Sequence, residues 1–347
     1  MVKYVLKRLG YLVIVFLIVS LMMFAIYNLI PSDPARTEAE KLRQADRNMT
    51  PEQFEAIYQN LREQYGLNDP LIERYARWMG FIPDLPDSQG NAVHNGLLQG
   101  NLGYSQFYKI DVIDQIGAPM ENTIILNVVD VIITLAITIP LGIFCAVRKR
   151  SKIDNAVQVV TIVGNSIPQF IVAIVFIYIF AVLLGWFPVG GAETPGASFD
   201  SEFERLLDRL YHMALPVLVM VFSGMAGMTR MVRAAMIDNL SMDYVRTARA
   251  KGLNEKVVIY SHAWRNALLP VITSIIGWFL SIFSGSVVIE QTFSLNGMGY
   301  LYWVGLRNFD YELVLAMQMF YVVVALIGNL ITDLSYGLVD PRVRVNK

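Results

Sequence analysis

Six runs of mainly apolar residues, each long enough to cross a bilayer, divide the 347-residue chain. A transmembrane helix needs about 20 consecutive apolar residues to cross roughly 30 Å of hydrocarbon. Charged residues make up only 16% of the chain, whereas soluble domains carry about 25%. The pattern therefore predicts an all-α integral membrane protein with six transmembrane helices. The predicted spans are residues 9–30, 123–147, 156–186, 212–236, 267–289 and 313–334.

Lys and Arg residues cluster beside alternate ends of these runs. They precede the first run, follow the second, join the fourth to the fifth at 230–265, and follow the sixth. The connections after the third and fifth runs are neutral to acidic. Because Lys and Arg are enriched in cytoplasmic loops close to the spans, the pattern predicts cytoplasmic N and C termini. The net charge of −1 gives no indication of a nucleic-acid partner.

The spacing of the runs predicts three regions. The first run is too long for a cleaved signal peptide, and no small-x-small cleavage site follows it, so we expect it to be retained. Thr50, Pro51 and Gln53 have the spacing of a helix start with a capping box. This helix lies in a segment that is either a small cap on the outer ends of the spans or a docking surface for an external protein. The regions are residues 1–30 with the N terminus and span 1, 31–120 as an external helical segment, and 121–347 with spans 2 to 6.

Motifs for covalent chemistry are missing from the sequence. It contains no G-x-x-x-x-G-K-[ST] phosphate loop, no H-E-x-x-H and no C-x-x-C, and its three histidines are far apart. The single cysteine, Cys145, rules out an intrachain disulfide. We therefore expect no catalytic residue and no metal site, and a nucleotide, if one is used, must bind to another chain.

Polar residues inside the apolar runs are candidates for a translocation pathway. Asp130 lies inside span two, with Asn127 one turn earlier, and a buried carboxylate in lipid is costly unless it faces protein or water. The stretch "GNSIPQF" in span three contains Asn165, Ser166 and Pro168, and proline kinks a helix by removing a backbone donor. Structural hydrogen bonds and a packing kink are the alternative explanations for these residues.

The connection between spans four and five, residues 237–266, carries the longest run of mixed charge. Its "DYVRTARAKG" stretch predicts a short helix that ends at Gly252, and Asn254 is suited to start a second helix. Three explanations compete for this basic segment: it binds anionic lipid, it is a solvated loop, or it is a rigid element that fits a partner. The small residues Ala248 and Ala250 favour the third interpretation because they allow another surface to approach closely.

The sequence resembles the permease subunits of binding-protein-dependent ABC importers, in particular the B-type subunit of the dipeptide, oligopeptide and nickel branch. The resemblance rests on "DYVRTARAKGL" followed by "HAWRNALLP", and on "GNLGYS", "GNSIPQF", "LPVLVM", "EQTFSLNGMGY" and "NLITDLSYGLVDPRVR" in the family's order. The family signature is E-A-A-x-x-x-G. Arg246, Thr247 and Ala248 occupy its first three places here, and Gly252 is retained.

This resemblance implies a type I ABC importer permease architecture in the cell membrane of a bacterium or archaeon. It implies a second, different permease subunit, two ATPase subunits that bind ATP and Mg²⁺, and an extracytoplasmic substrate-binding protein, with no cofactor on this chain. The signature loop becomes the coupling helix that fits a cleft in the ATPase. By position, the implied coupling residues are Tyr244, Arg246, Thr247, Ala248, Arg249, Lys251 and Gly252.

The expected function is therefore that of a non-catalytic permease that forms half of a translocation pathway for di- or oligopeptides. Importers of this architecture also carry nickel chelates or oligosaccharides. A secondary transporter or channel that works without an ATPase is an alternative from another class, although the spans lack a relay of paired charges beyond Asp130. A third hypothesis is a membrane scaffold whose cytoplasmic loop only docks a partner.

Overall fold

The computed structural model describes residues 2–29, 33–46, 48–85 and 93–339, and the regular structure of these residues is helical apart from one antiparallel bridge between Tyr104 and Asp111. The α-helices are α1 (Val2–Leu29), α2 (Pro34–Ala45), α3 (Pro51–Gln64), α4 (Leu71–Met79), α5 (Val112–Val147), α6 (Lys152–Ser166), α7 (Gln169–Phe176), α8 (Glu202–Leu240), α9 (Asp243–Ala250), α10 (Glu255–Val257), α11 (Arg265–Ser281), α12 (Val287–Thr292), α13 (Met298–Arg307) and α14 (Tyr311–Val339). Two π-helices, Ile177–Leu183 and Val258–Trp264, continue α7 and α10.

Four helices in the described part of the chain are long and apolar enough to cross a membrane, and the count rises to six if each of two bent pairs is one span. The first pair is α6 with α7 and its π-helix, which bend by 101°. The second runs from α10 through α11 and bends by 62° at its break before Pro270. Counted in this way, the six spans agree with the sequence prediction. A proline lies at each bend. Because proline lacks a backbone N–H, it interrupts the hydrogen bonds of the helix at that point.

The fifth span ends earlier than its apolar run predicts. α11 stops at Ser281, and the apolar residues up to Ile289 belong to a turn and to α12. The turn contains Gly285, where a Cβ would collide with the backbone nitrogen of Gly299. Two backbone segments therefore touch at a point where only glycine fits, and hydropathy carries no information about such a contact.

The described residues fall into two compact units, one within 2–117 and 304–323 and the other within 118–303 and 324–339. The first unit has a core of Phe24, Tyr75, Met79, Leu315 and Met319. It also contains the predicted capping box, which is confirmed because the Thr50 hydroxyl accepts from the N–H of Gln53 and the Gln53 side chain accepts from the N–H of Thr50.

In the second unit, described residues form apolar cores along both halves of α8. One packs the later half of α8 against α9 and the π-helix Val258–Trp264. The other packs its earlier half against α7 and the turn after α12. α8 itself begins at Glu202, ten residues before the predicted span, because Ser201 caps it by accepting from the N–H of Glu204. The polar first turns of α8 hide this extension from a search for apolar runs.

Candidate functional site

The charged loop between α8 and α11 contains a short helix that ends in a left-handed turn. Gly252 has a φ of +74°. Its N–H donates to the carbonyl of Arg249 at 2.9 Å, and the N–H of Leu253 donates to the carbonyl of Ala248 at 3.4 Å. These two bonds form a Schellman motif, which satisfies carbonyl groups left open at the end of α9. Among the described residues beyond its chain neighbours, no atom lies within 4 Å of a Cβ built on Gly252, so its backbone conformation explains the glycine.

The chain begins its second helix where the sequence predicted. The side chain of Asn254 accepts from the N–H of Lys256 at 2.9 Å and caps α10. Across the turn, the guanidinium of Arg249 donates to both carboxylate oxygens of Glu255, at 2.7 and 3.2 Å. Both side chains are about half exposed, and such a pair contributes only about 0–1 kcal/mol. The ion pair therefore orients the turn more than it stabilises it.

α9 has an inner face and an outer face. Val245 and Ala248 are buried in the core that also contains Met236 of α8 and Val258 and Ala263 of the π-helix. Ala248 thus packs against its own chain, and its small side chain allows α9 to lie close to α8 and the π-helix. The other predicted coupling residues are exposed. They are Tyr244, Arg246, Thr247, Arg249, Lys251 and Gly252.

α9 is packed against two other helical segments of the chain. Its inner face contacts the π-helix that leads into α11, and the same core holds the last turns of α8. Interiors packed at crystal-like density have low compressibility and transmit strain. α9 therefore shares one packed core with α8 and with the π-helix that precedes the 62° bend into the fifth span.

A buried ion pair near this loop was missed by the sequence analysis. Arg233 of α8 donates from Nε and Nη2 to the two carboxylate oxygens of Asp154, at 2.6 and 2.7 Å, and the Asp154 side chain is fully buried. Asp154 also accepts from the N–H of Arg150 at 2.8 Å, and Ser151 caps α6. A Ser-x-x-Asp spacing is typical of a helix start, but it carries no sign of a partner 79 residues away.

The candidate pathway residues are only partly brought together. Asp130, Asn165 and Pro168 line one cavity of about 490 Å³ at the break between α6 and α7, together with Gln169 and Ser223. The hydroxyl of Thr134 donates to Oδ1 of Asp130 at 3.1 Å. The predicted kink at Pro168 is thus a sharp break that opens beside an acidic side chain.

Asn127 and Ser166 lie elsewhere. The side-chain amide of Asn127 donates to the carbonyls of Ile282 and Ser284, at 2.9 and 3.0 Å, and so caps the end of α11. The hydroxyl of Ser166 donates to the carbonyl of Ile162 at 2.8 Å, within its own helix. Neither residue lines the cavity, and their contacts are those of structural hydrogen bonds.

A second buried carboxylate holds the turn after α12. Glu290 accepts from the Thr123 hydroxyl at 3.0 Å and from the N–H groups of Ser286 and Tyr300, at 3.2 and 2.7 Å. Burial raises the pKa of Glu290, and these hydrogen bonds partly offset that effect. A Cβ on Gly297 would lie 2.5 Å from the Glu290 carboxyl carbon, so the glycine makes room for the acid. Glu290 is apparent in the sequence stretch "EQTFSLNGMGY", but the groups that donate hydrogen bonds to it are not.

Two family models match the chain in succession. Residues 1–127 match the N-terminal domain of binding-protein-dependent transport system membrane components. Residues 138–345 match the binding-protein-dependent transport system inner membrane component. Together they cover the α9 loop, the break between α6 and α7, and the segment before α5. Among the described residues, no three His, Cys, Asp or Glu side chains are grouped in a way that would hold a metal ion.

Curated relatives match over almost the entire length. The oligopeptide transport system permease protein AppB of Bacillus subtilis is 38% identical, over 99% of each chain. The dipeptide transport system permease protein DppB of Escherichia coli is 30% identical, over 100% of each chain. A solved inward-facing structure of the MetNI methionine ABC transporter is a distant match, with a TM-score of 0.47 and 13% identity over 62% of this chain and 93% of that chain.

Proposed function

The chain belongs to the family of binding-protein-dependent transport system inner membrane components, and from this premise we propose that it is a permease subunit of an ATP-driven importer of di- or oligopeptides. Full-length similarity to oligopeptide and dipeptide permease proteins supports this substrate class. The permease performs no covalent chemistry, and ATP with Mg²⁺ binds to partner subunits.

The division of α9 into a buried and an exposed face is the observation that carries the proposal. Val245 and Ala248 fix the helix to its own chain. The exposed face presents Tyr244, Thr247 and three basic side chains to solvent. In the proposed function this outer face docks on the ATPase, and ATP-driven movement of the ATPase displaces α9. α8 and the segment before the bend in α11 then move with α9, because they share one packed core.

The other subunits of the transporter complex follow from the same proposal. A second, different permease subunit completes the pathway, and two ATPase subunits bind on the cytoplasmic side together with both termini of this chain. A binding protein delivers peptide on the opposite side, where residues 31–120 are located in this topology. The complex lies in the cell membrane of a bacterium or archaeon. The cavity lined by Asp130, Asn165 and Pro168 is then part of the pathway of this subunit.

Uptake by a reconstituted complex tests the proposal. The chain is inserted into proteoliposomes with the partner permease and the ATPases of its own transport system, with ATP enclosed and the peptide-loaded binding protein outside. We expect uptake of labelled trialanine that requires both ATP and the binding protein. Uptake by this chain alone, driven by an ion gradient without ATPase, would instead identify a secondary transporter. Stable ATPase binding without any uptake would identify a scaffold.

A further inference from the structure

The acids of the second unit differ in how their carboxylates are occupied. Glu290 accepts hydrogen bonds from Thr123, Ser286 and Tyr300. Asp154 is held by a bidentate guanidinium. Asp130 accepts only the Thr134 hydroxyl on Oδ1, and no described residue donates to its Oδ2. Glu290 and Asp154 are therefore saturated by their own chain, while Asp130 has an oxygen free for a ligand.

No described residue that lines the cavity of Asp130 carries a counter-charge. Of the described residues that line its cavity, Asp130 is the sole ionisable one, and Asn165, Gln169 and Ser223 provide neutral polar groups. A carboxylate within a span normally pairs with a cation or faces a water-filled cavity. This cavity of about 490 Å³ is open, since Asn165 and Pro168 in its lining are exposed, so a ligand can reach the carboxylate.

The end of α6 adds negative potential to the same cavity. α6 stops at Ser166, the following Ile167 is extended with φ −88° and ψ 125°, and Pro168 has no N–H to donate to the last carbonyl groups. The C-terminal end of a helix favours cations, and transporters use such broken helices to hold positive charge near the membrane centre. α7 begins on the other side of the break, and the start of a helix carries a partial positive charge that opposes that of the α6 end. The full negative charge of Asp130 therefore sets the sign of the potential in the cavity.

We propose that the Asp130 carboxylate binds the primary ammonium group at the amino end of the peptide as it passes through this subunit. The inference rests on the proposed function and adds a recognition point inside the pathway. Because Oδ2 has no partner to release, the ammonium group is bound and freed without breaking an internal ion pair. An inorganic cation that accompanies transport would occupy the same oxygen, and the experiment separates the two sources.

The reconstituted complex is assembled with the unaltered chain, with Asp130→Asn or with Asp130→Glu. Asparagine keeps the size of the side chain and its bond from Thr134 but removes the charge, whereas glutamate keeps the charge. Each complex is supplied with binding protein saturated by trialanine or by N-acetyl-trialanine, which lacks the ammonium group. Any preference of the binding protein cancels when each variant is compared with the unaltered complex on the same peptide.

The expected result is a loss of trialanine uptake of about tenfold in Asp130→Asn, the size of one lost charge-assisted hydrogen bond. We expect Asp130→Glu to recover most of that loss, and we expect the uptake of N-acetyl-trialanine to be the same in Asp130→Asn as in the unaltered complex. That unchanged uptake also shows that the variant is folded and assembled.

Three results would overturn the inference. Asp130→Asn could leave trialanine uptake unchanged, or it could slow both peptides by the same factor, as a structural role or an accompanying inorganic cation predicts. In either case the unaltered complex still imports peptide, so the proposed function stands. Absence of peptide uptake by the unaltered complex would overturn the proposed function and this inference together.

Discussion

Replacing Gly252 with valine forces a β-branched side chain into a left-handed backbone conformation. The φ of +74° at this position costs an L-residue about 1–2 kcal/mol. Among the described residues beyond its chain neighbours, no atom lies within 4 Å of the new Cβ, so this strain is the main energetic effect. A change of that size shifts the equilibrium of the turn by a factor of roughly 5 to 30. α9 should therefore lose its fixed orientation while the spans stay folded.

The assay is ATP hydrolysis by the reconstituted complex, with and without peptide-loaded binding protein. Gly252→Val should keep basal hydrolysis and lose most of its stimulation by the loaded binding protein. Gly252→Asn should be intermediate because asparagine tolerates the left-handed region better than other residues. Gly196 offers a matched control, with a φ of +76° and open space around its Cβ, in the connection before α8.

Full stimulation in Gly252→Val would refute the role of α9 as a rigid coupling element. The account also fails if Gly196→Val loses stimulation to the same extent. In that case the strain of a left-handed turn would act through general destabilisation, and the α9 loop would have no special part in it.

Three further changes test the packing around these sites. Arg233→Met should lower the stability of the chain in detergent by about 3 kcal/mol, because it leaves a fully buried carboxylate unpaired. Ala248→Leu should cost about 1–3 kcal/mol through overpacking of the inner face, whereas Ala250→Leu, on the exposed side, should be nearly neutral. Gly297→Ala should destabilise the turn after α12, because its Cβ would lie 2.5 Å from the carboxyl carbon of Glu290. Thermal unfolding of the purified chain measures all three.

Each of these expectations has its own contrary result. An unchanged unfolding temperature in Arg233→Met would mean that water or a rearranged side chain replaces the ion pair. Equal effects of leucine at positions 248 and 250 would contradict the assignment of the two faces of α9. A neutral alanine at position 297 would show that the turn shifts away from the carboxylate at little cost.

Local sequence signals predicted the features whose partners are near in the chain. Thr50 and Gln53 are three residues apart, and their reciprocal capping bonds were predictable from type and spacing. Gly252 and Asn254 likewise act on backbone groups within a few residues. Pro168 indicated a disturbed helix, but the bend of 101° depends on how the following helix packs, and composition does not determine that.

Contacts between distant residues account for what the sequence did not reveal. Asn127 looked like a neighbour of Asp130 on one helix face, yet its amide caps α11, 155 residues away in the chain at Ile282. Arg233 looked like a topological marker and is instead a partner for Asp154. A polar residue in an apolar run signals that a partner exists, and the fold decides which partner it is.

Cross-linking from the outer face of α9 tests the central claim most directly. Cys145 is the single cysteine of the chain and is buried, so Thr247→Cys provides an exposed attachment site for a photoreactive probe, with Gly196→Cys as its control. In an assembled complex that imports peptide, we expect the probe at position 247 to capture the ATPase and the probe at position 196 to leave it unlabelled. A complex that imports peptide without an ATPase adduct at position 247 would contradict the account.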